Sequence, residues 1–240
     1  MNQAMFEKHL STQFDSELNT VSSRAMEMGG LVESQIRQAV HALSQFSAEA
    51  ASQVLETENR VNAMEVDIDR ELTSIIGRRQ PTARDLRLLM AISRITANLE
   101  RAGDETAKIA RMVHSIIDSG SARALPASEL RVAAELASGL LRKALDSFAR
   151  LDTAMAVAIL KEDDLIDREF DGFVRKLITY MMEDPRTISV SLDLLFLAKA
   201  LERIGDHAKN IAESIIYVVE GADVRHASMA QVESALRGGR

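Results

Sequence analysis

Apolar residues recur along this chain at steps of three and four, in six long runs separated by short interruptions. Such spacing lines one face of an α-helix. The first run extends from about Asp15 to Phe46 and puts Leu18, Val21, Ala25, Met28, Val32, Ala39, Leu43 and Phe46 on one stripe. The second, from about Ala48 to Ile76, carries Val54, Val61, Ile68, Leu72 and Ile75. The third, from about Thr82 to Asp118, carries Leu88, Ile92, Ile95, Leu99, Ala102, Ile109, Val113 and Ile116. Three further runs follow, at about Ala127 to Phe148, Thr153 to Met182 and Arg186 to Glu220. Helices of about 30 residues are roughly 45 Å long, and short connections force them antiparallel. The predicted architecture is all-α, with two antiparallel three-helix bundles side by side. Residues 15–119 and 127–220 form the bundles, and 221–240 are predicted to be a flexible tail.

The two bundles are copies of one another. Leu99-Glu100-Arg101-Ala102-Gly103-Asp104 returns as Leu201-Glu202-Arg203-Ile204-Gly205-Asp206, and Ile109-Ala110 returns as Ile211-Ala212, all at an offset of 102 residues. A second recurrence, Asp69-Arg70-Glu71 and Asp167-Arg168-Glu169, has an offset of 98. Pro81 and Pro185 each precede the acidic-motif helix of their half, and Pro126 falls between the halves. Proline cannot continue a helix, so all three mark connections. Gly29-Gly30 and Gly139 interrupt first helices. At about 1 kcal/mol each against Ala, they mark either close helix contact or a bend, or are simply tolerated.

Composition agrees with helix: three Pro, 11 Gly, no Trp and 4% aromatics in 240 residues, with 46% hydrophobic content to build a core. The absence of cysteine removes disulfides, thiolate metal sites and thiol redox sensing. Met1 to His9 lack the basic-then-apolar order of a secretory signal, and no apolar stretch approaches the roughly 20 residues of a membrane span. A soluble, cytoplasmic protein is expected. A net charge of −7 with interleaved signs argues against nucleic acid or anionic lipid as the main partner.

The informative residues are carboxylates that interrupt the apolar stripes. Glu and Asp four apart share a helix face, and both copies of the motif keep them. Glu65/Asp69 with Glu100/Asp104 in the first half, and Asp163 or Asp164 with Asp167, Glu202 and Asp206 in the second, give four candidates per half, two from each of two antiparallel helices. Facing pairs about 5 Å apart would repel by roughly 3 kcal/mol at an effective dielectric near 20. Protonation, Arg or Lys partners, or a multivalent cation can offset this. Gly103 and Gly205, between the acids of each motif, leave room for a metal or a neighbouring backbone. An all-oxygen site suits Mg, Mn, Ca or iron better than zinc. None of the five His has a Glu three residues before it, so a di-iron Glu-x-x-His signature is absent. His207 reads as a surface or capping residue, and Arg101 and Arg203 as structural.

No Ser/His/Asp or Cys/His nucleophile set, phosphate-cradling glycine loop or zinc spacing is present. A non-enzymatic protein is the expectation. The alternatives are a metal-dependent enzyme on the same acids, a phosphohydrolase or iron oxidase, and a purely structural module whose acids are solvated. The doubled Leu-Glu-Arg-x-Gly-Asp, together with Arg79-Gln80-Pro81-x-Ala83-x-Asp85-Leu86-Arg87 and Tyr180-Met181-Met182-Glu183-Asp184-Pro185-Arg186-Thr187, resembles the PhoU family from about Phe14 to His226. The resemblance implies two pseudo-symmetric three-helix bundles in a cytoplasmic accessory protein of a high-affinity phosphate ABC transporter. It implies repression of the phosphate-starvation response with a sensor histidine kinase as partner, and self-association as a homodimer is a further expectation. It also implies metal ions or multinuclear clusters, of Mg, Mn or Fe class, held by Glu/Asp-x-x-x-Asp motifs. Those motifs map onto Glu65/Asp69, Glu100/Asp104, Asp163/Asp167 and Glu202/Asp206.

Overall fold

The computed structural model describes residues 12–118 and 127–238. In chain order the α-helices are α1 (Thr12–Gln45), α2 (Ala48–Arg79), α3 (Ala83–Asp118), α4 (Ala127–Arg150), α5 (Thr153–Glu183), α6 (Ile188–Glu220) and α7 (Met229–Gly238), with a 3-10 turn at Pro185–Thr187 before α6. There are no strands among the described residues. Six of the seven helices lie within a few residues of the runs read from the apolar pattern. The stripe residues Leu18, Val21, Met28, Val32, Ile92, Ile95 and Leu99 are fully buried.

The tight connections come from local chemistry. Phe46 and Leu151 each take a left-handed backbone with φ near 50°, and the residue after each caps the next helix. The Ser47 hydroxyl accepts from the Ala50 amide, and the Asp152 carboxylate accepts from the Met155 amide. Such caps satisfy amides that have no partner within the helix.

These matching caps relate α2 to α5 by 105 residues, from Ser47 to Asp152. The offset of 98 suggested by the Asp-Arg-Glu triplets is therefore corrected by one heptad. Burial agrees, since Ala51, Val54, Val61, Ile68 and Leu72 are buried, as are Ala156, Ile159, Ile166, Phe173 and Leu177. Seven residues are almost two helical turns, so a heptad slip leaves the apolar stripe nearly in phase and pattern alone cannot reject it. In the corrected register Glu58 corresponds to Asp163, Asn62 to Asp167 and Glu65 to Phe170.

Helices α1–α3 form one bundle and α4–α6 the other, joined mainly by α3 against α6 and also by α1 against α4. Gly29 belongs to the second contact: a Cβ there would lie 2.3 Å from Leu145 Cδ2. Gly30 and Gly139 face open space, with nothing within 4 Å of a would-be Cβ. The segment after Gly221, expected to be flexible, folds back instead. Gly221 ends α6 at φ 72°, its amide donating to the Tyr217 carbonyl. Val224 and Val232 are buried beyond it, and Lys161 Nζ reaches Glu233 on α7 at 2.7 Å. Met229, Val232 and Leu236 fall at steps of three and four and pack against the core, so the short C-terminal helix carries the same apolar signal as the longer ones.

Candidate functional site

The two copies of the acidic motif meet where α3 and α6 pack antiparallel. Asn98 Oδ1 accepts from Asn210 Nδ2 at 3.1 Å and lies 3.1 Å from His207 Nδ1, while Arg203 Nη1 is 3.3 Å from Glu105 Oε1. Because Asn98 Nδ2 donates to the Arg94 carbonyl, Oδ1 is the acceptor and the proton sits on His207 Nδ1. Burial holds the His207 pKa down to about 4, with Arg101, Arg203 and Lys108 adding to the effect and Glu105 opposing it. His207 is thus a neutral interface residue rather than a surface one. A cleft of about 900 Å³ opens over this junction, lined by residues that include Arg101, Asp104, Arg203, Asp206, His207 and Arg225.

Beneath one wall of the cleft, acidic side chains of the first repeat gather between α2 and α3. Gln35 of α1 is fully buried, and its amide donates to Glu58 Oε2 at 2.7 Å and to the Val54 carbonyl at 3.2 Å. Glu58, only 6% exposed, lies beside Asp104. Burial raises the Glu58 pKa first of all, the Gln35 bond opposes the rise, and Asp104 adds to it. Gly103 makes the approach possible. A Cβ there would sit 3.0 Å from Glu58 Oε2 and 3.2 Å from Gln35 Oε1, so a larger residue would displace both.

Glu100, one turn before Asp104, is raised from an ordinary 4.5 to about 7 by burial, then by Asp104, Glu65 and Glu58 in that order, with Arg101 opposing. Burial also raises the Glu65 pKa, with Asp69 and Asp104 contributing and Arg101 opposing. Four buried oxygens, Gln35 Oε1, Glu58 Oε1 and Asn62 Oδ1 in the first repeat and Glu202 Oε2 in the second, have no hydrogen-bond partner. Unpaired buried acceptors are costly and call for a proton or a cation. Among the described residues, no three His, Asp or Glu side chains are closed tightly enough to enclose a metal ion.

Of the carboxylates singled out in the sequence, Glu65, Glu100 and Asp104 therefore come together, whereas Asp69 is exposed and takes a hydrogen bond from Ser93 Oγ at 3.3 Å. In the second repeat Glu202 is 14% exposed and ion-paired with Lys199, Asp206 lines the cleft and Asp167 is exposed. The Asp163 side chain lies outside the described residues. Glu58 and Gln35 were missed, although both carried a signal: Val54-Glu58-Val61 and Val32-Gln35-Ala39 keep helical spacing, so each polar residue sits within an apolar stripe.

A duplicated three-helix-bundle protein whose paired acidic motifs meet at the crossing of two equivalent helices is the class that fold and site define. The PhoU domain matches residues 25–113 and 130–215, one repeat each, and the chain belongs to the PhoU family. The phosphate-specific transport system accessory protein PhoU homolog of a Burkholderia species is 50% identical over 229 residues, 95% of this chain and 97% of that protein. The Escherichia coli K12 accessory protein PhoU is 42% identical over 239 residues, 99% of this chain and 98% of that one. The crystal structure of PhoU from Pseudomonas aeruginosa superposes with a TM-score of 0.84 at 44% identity, covering 87% of this chain and all of that one.

Proposed function

We propose that this protein is a non-enzymatic accessory protein of phosphate transport, acting in the cytoplasm, that couples a high-affinity phosphate ABC transporter to a sensor histidine kinase and holds the phosphate-starvation response down when phosphate is plentiful. The observation that carries this reading is similarity to named accessory proteins along essentially the whole of both chains, with the acidic motifs retained in both repeats. No helix among the described residues is long and apolar enough to cross a membrane. The work of coupling therefore falls to surfaces presented to membrane-bound partners. Deleting the gene should switch on phosphate-starvation reporters in phosphate-rich medium, and the intact gene should restore repression. Unchanged reporter expression would overturn the reading.

The same proposal includes an oxygen-preferring divalent or trivalent cation, of Mg, Mn or Fe class, at the first-repeat cluster. Glu58, Glu65, Glu100 and Asp104 would hold it, with Gln35 and Asn62 contributing neutral oxygens. The unpaired buried oxygens beside these acids support this reading, and an all-oxygen donor set selects for hard cations. Bound there, a cation would supply the charge compensation that these side chains otherwise obtain by protonation, and would tie α2 to α3. Elemental analysis of untagged protein, beside a Glu58→Gln/Glu100→Gln variant, tests this part. Equal metal content in the two would remove it.

A further inference from the structure

A duplicated chain can carry a duplicated surface. Leu86 and Met90 on α3 are 38% and 41% exposed, and their counterparts in the motif register, Ile188 and Leu192 on α6, are 43% and 41% exposed. Single apolar side chains in water need no explanation. The same two positions left bare in both repeats are a pattern. At about 100° per residue, Leu86 and Met90 fall within about 60° of Arg101 and Asp104 around α3, and Ile188 and Leu192 stand in the same relation to Arg203 and Asp206 around α6. Those four charged residues line the cleft, so both apolar pairs share its face. Arg203 against Glu105, Asn210 against Asn98 and Gly221 beside Arg87 show α3 and α6 running antiparallel in even step, which in the motif register puts a local twofold axis between Gly103 and Gly205. At about 1.5 Å per residue, Met90 and Leu86 lie roughly 20 and 25 Å along α3 from that axis. The two apolar pairs are thus about 40–50 Å apart, one on each side of the charged centre.

Building on the accessory-protein reading, which supplies the need for a partner, we infer that the α3/α6 face is the docking surface for a partner made of two identical subunits, each seating one apolar pair. The face is about 45 Å long and two helices, about 20 Å, wide. Its area of about 900 Å² is what one side of a stable interface needs, whereas either end alone offers about half of that. A partner whose own twofold axis coincides with the one between Gly103 and Gly205 covers both ends by using one binding surface twice. The charges repeat with the same symmetry. Each subunit would meet one arginine and one aspartate of the motif, Arg101 and Asp104 or Arg203 and Asp206, at the same spacing from its apolar contact. The ends differ by one position: exposed Phe196 extends the second pair by a turn, where the first repeat has Arg94, 5.0 Å from the centre of the Tyr217 ring. The segment after Gly221 lines the cleft with Arg225 and His226 and leaves both apolar pairs exposed.

The test is photocrosslinking in living cells, with benzoylphenylalanine in the full-length protein in place of Leu86, of Ile188, of both, or of Val132, an exposed residue of α4 away from this face. Captured chains are identified by mass spectrometry. The Leu86 and Ile188 positions should capture the same protein, the Val132 position should not, and the doubly labelled chain should give a product with one copy of this chain and two of the other. Leu86→Glu should cut capture at position 188, and Ile188→Glu capture at position 86, by about 100-fold, because losing one of two linked contacts forfeits the avidity of the pair. Both substitutions fall on exposed side chains, and circular dichroism confirms the fold of each variant. Different proteins at the two positions, a product with a single partner chain, capture of a second copy of this chain, or no product at either position would overturn the assignment. The same protein captured in two copies, in a cell whose phosphate-starvation reporters ignore deletion of the gene, would leave the docking face standing and remove the accessory-protein reading instead.

Discussion

Replacing Glu100 by Gln should stabilise the metal-free protein at alkaline pH and leave it unchanged at acid pH. The substitution keeps the outline of the side chain and removes its charge. Glu100 is raised from 4.5 to about 7 by burial and by Asp104, Glu65 and Glu58. Below about pH 4.5 the carboxyl is protonated in both folded and unfolded chains and contributes nothing. Between about 4.5 and 7 the unfolded chain releases this proton while the folded chain retains it, so stability falls as pH rises, and above 7 the loss is complete. A shift of this size corresponds to roughly 3 kcal/mol at full strength, and solvent screening at the partly exposed Glu100 reduces it to roughly 1–2 kcal/mol. For a chain of this length that is a gain of about 3–6 °C in Tm for Glu100→Gln at pH 8. Calorimetry of wild type and variant in chelator at pH 4.5, 6, 7 and 8 measures it. Contributions from His207 cancel in the difference. A variant no more stable than wild type at pH 8, or a gain of the same size at every pH, would refute the electrostatic account of the cluster.

Three further outcomes follow from the geometry. Gly139→Ala, in open space, should gain about 1 kcal/mol from helix propensity. Gly103→Ala should lose about 1 kcal/mol net, because the same gain is outweighed by the roughly 1–3 kcal/mol of disturbing the buried Glu58–Gln35 hydrogen bond. Urea denaturation of the pair decides, and equal gains would contradict the close approach at Gly103. His207, held down to about 4, should show no imidazole titration by NMR between pH 8 and 5. Its contribution to stability is present above about 6.5 and is lost as pH falls toward 4; a titration midpoint near 6.5 would contradict its burial against Asn98. Val232→Asp should detach α7, because it puts a charge where the side chain is 1% exposed. Limited proteolysis should then cleave after Gly221 and leave both bundles intact, and an unchanged digestion pattern would show that α7 is held by something else.

The helices themselves were legible because their causes are local. Apolar residues at steps of three and four, Ser47 and Asp152 at caps and Pro81 and Pro185 at connections act within a few residues of where they stand; Pro126 lies outside the described residues. The duplicated Leu-Glu-Arg-x-Gly-Asp was legible for the same reason, and with it Glu100, Asp104, Glu202 and Asp206 as the residues to watch. Which partner carboxylate each would meet was not. Glu58, Glu65 and Asp69 all lie on α2, and only the rotation and axial register of α2 against α3 brings Glu58 beside Asp104 and leaves Asp69 in solvent. A heptad slip barely alters the apolar stripe, so hydrophobic pattern tolerates both registers where packing accepts one. Likewise, nothing near Asn98 in the chain announces His207. Sequence by itself determined the all-helical duplication and the acids it repeats, since periodicity and capping are short-range. The tertiary structure decided which acids share a site, because that depends on side chains brought together from separate helices.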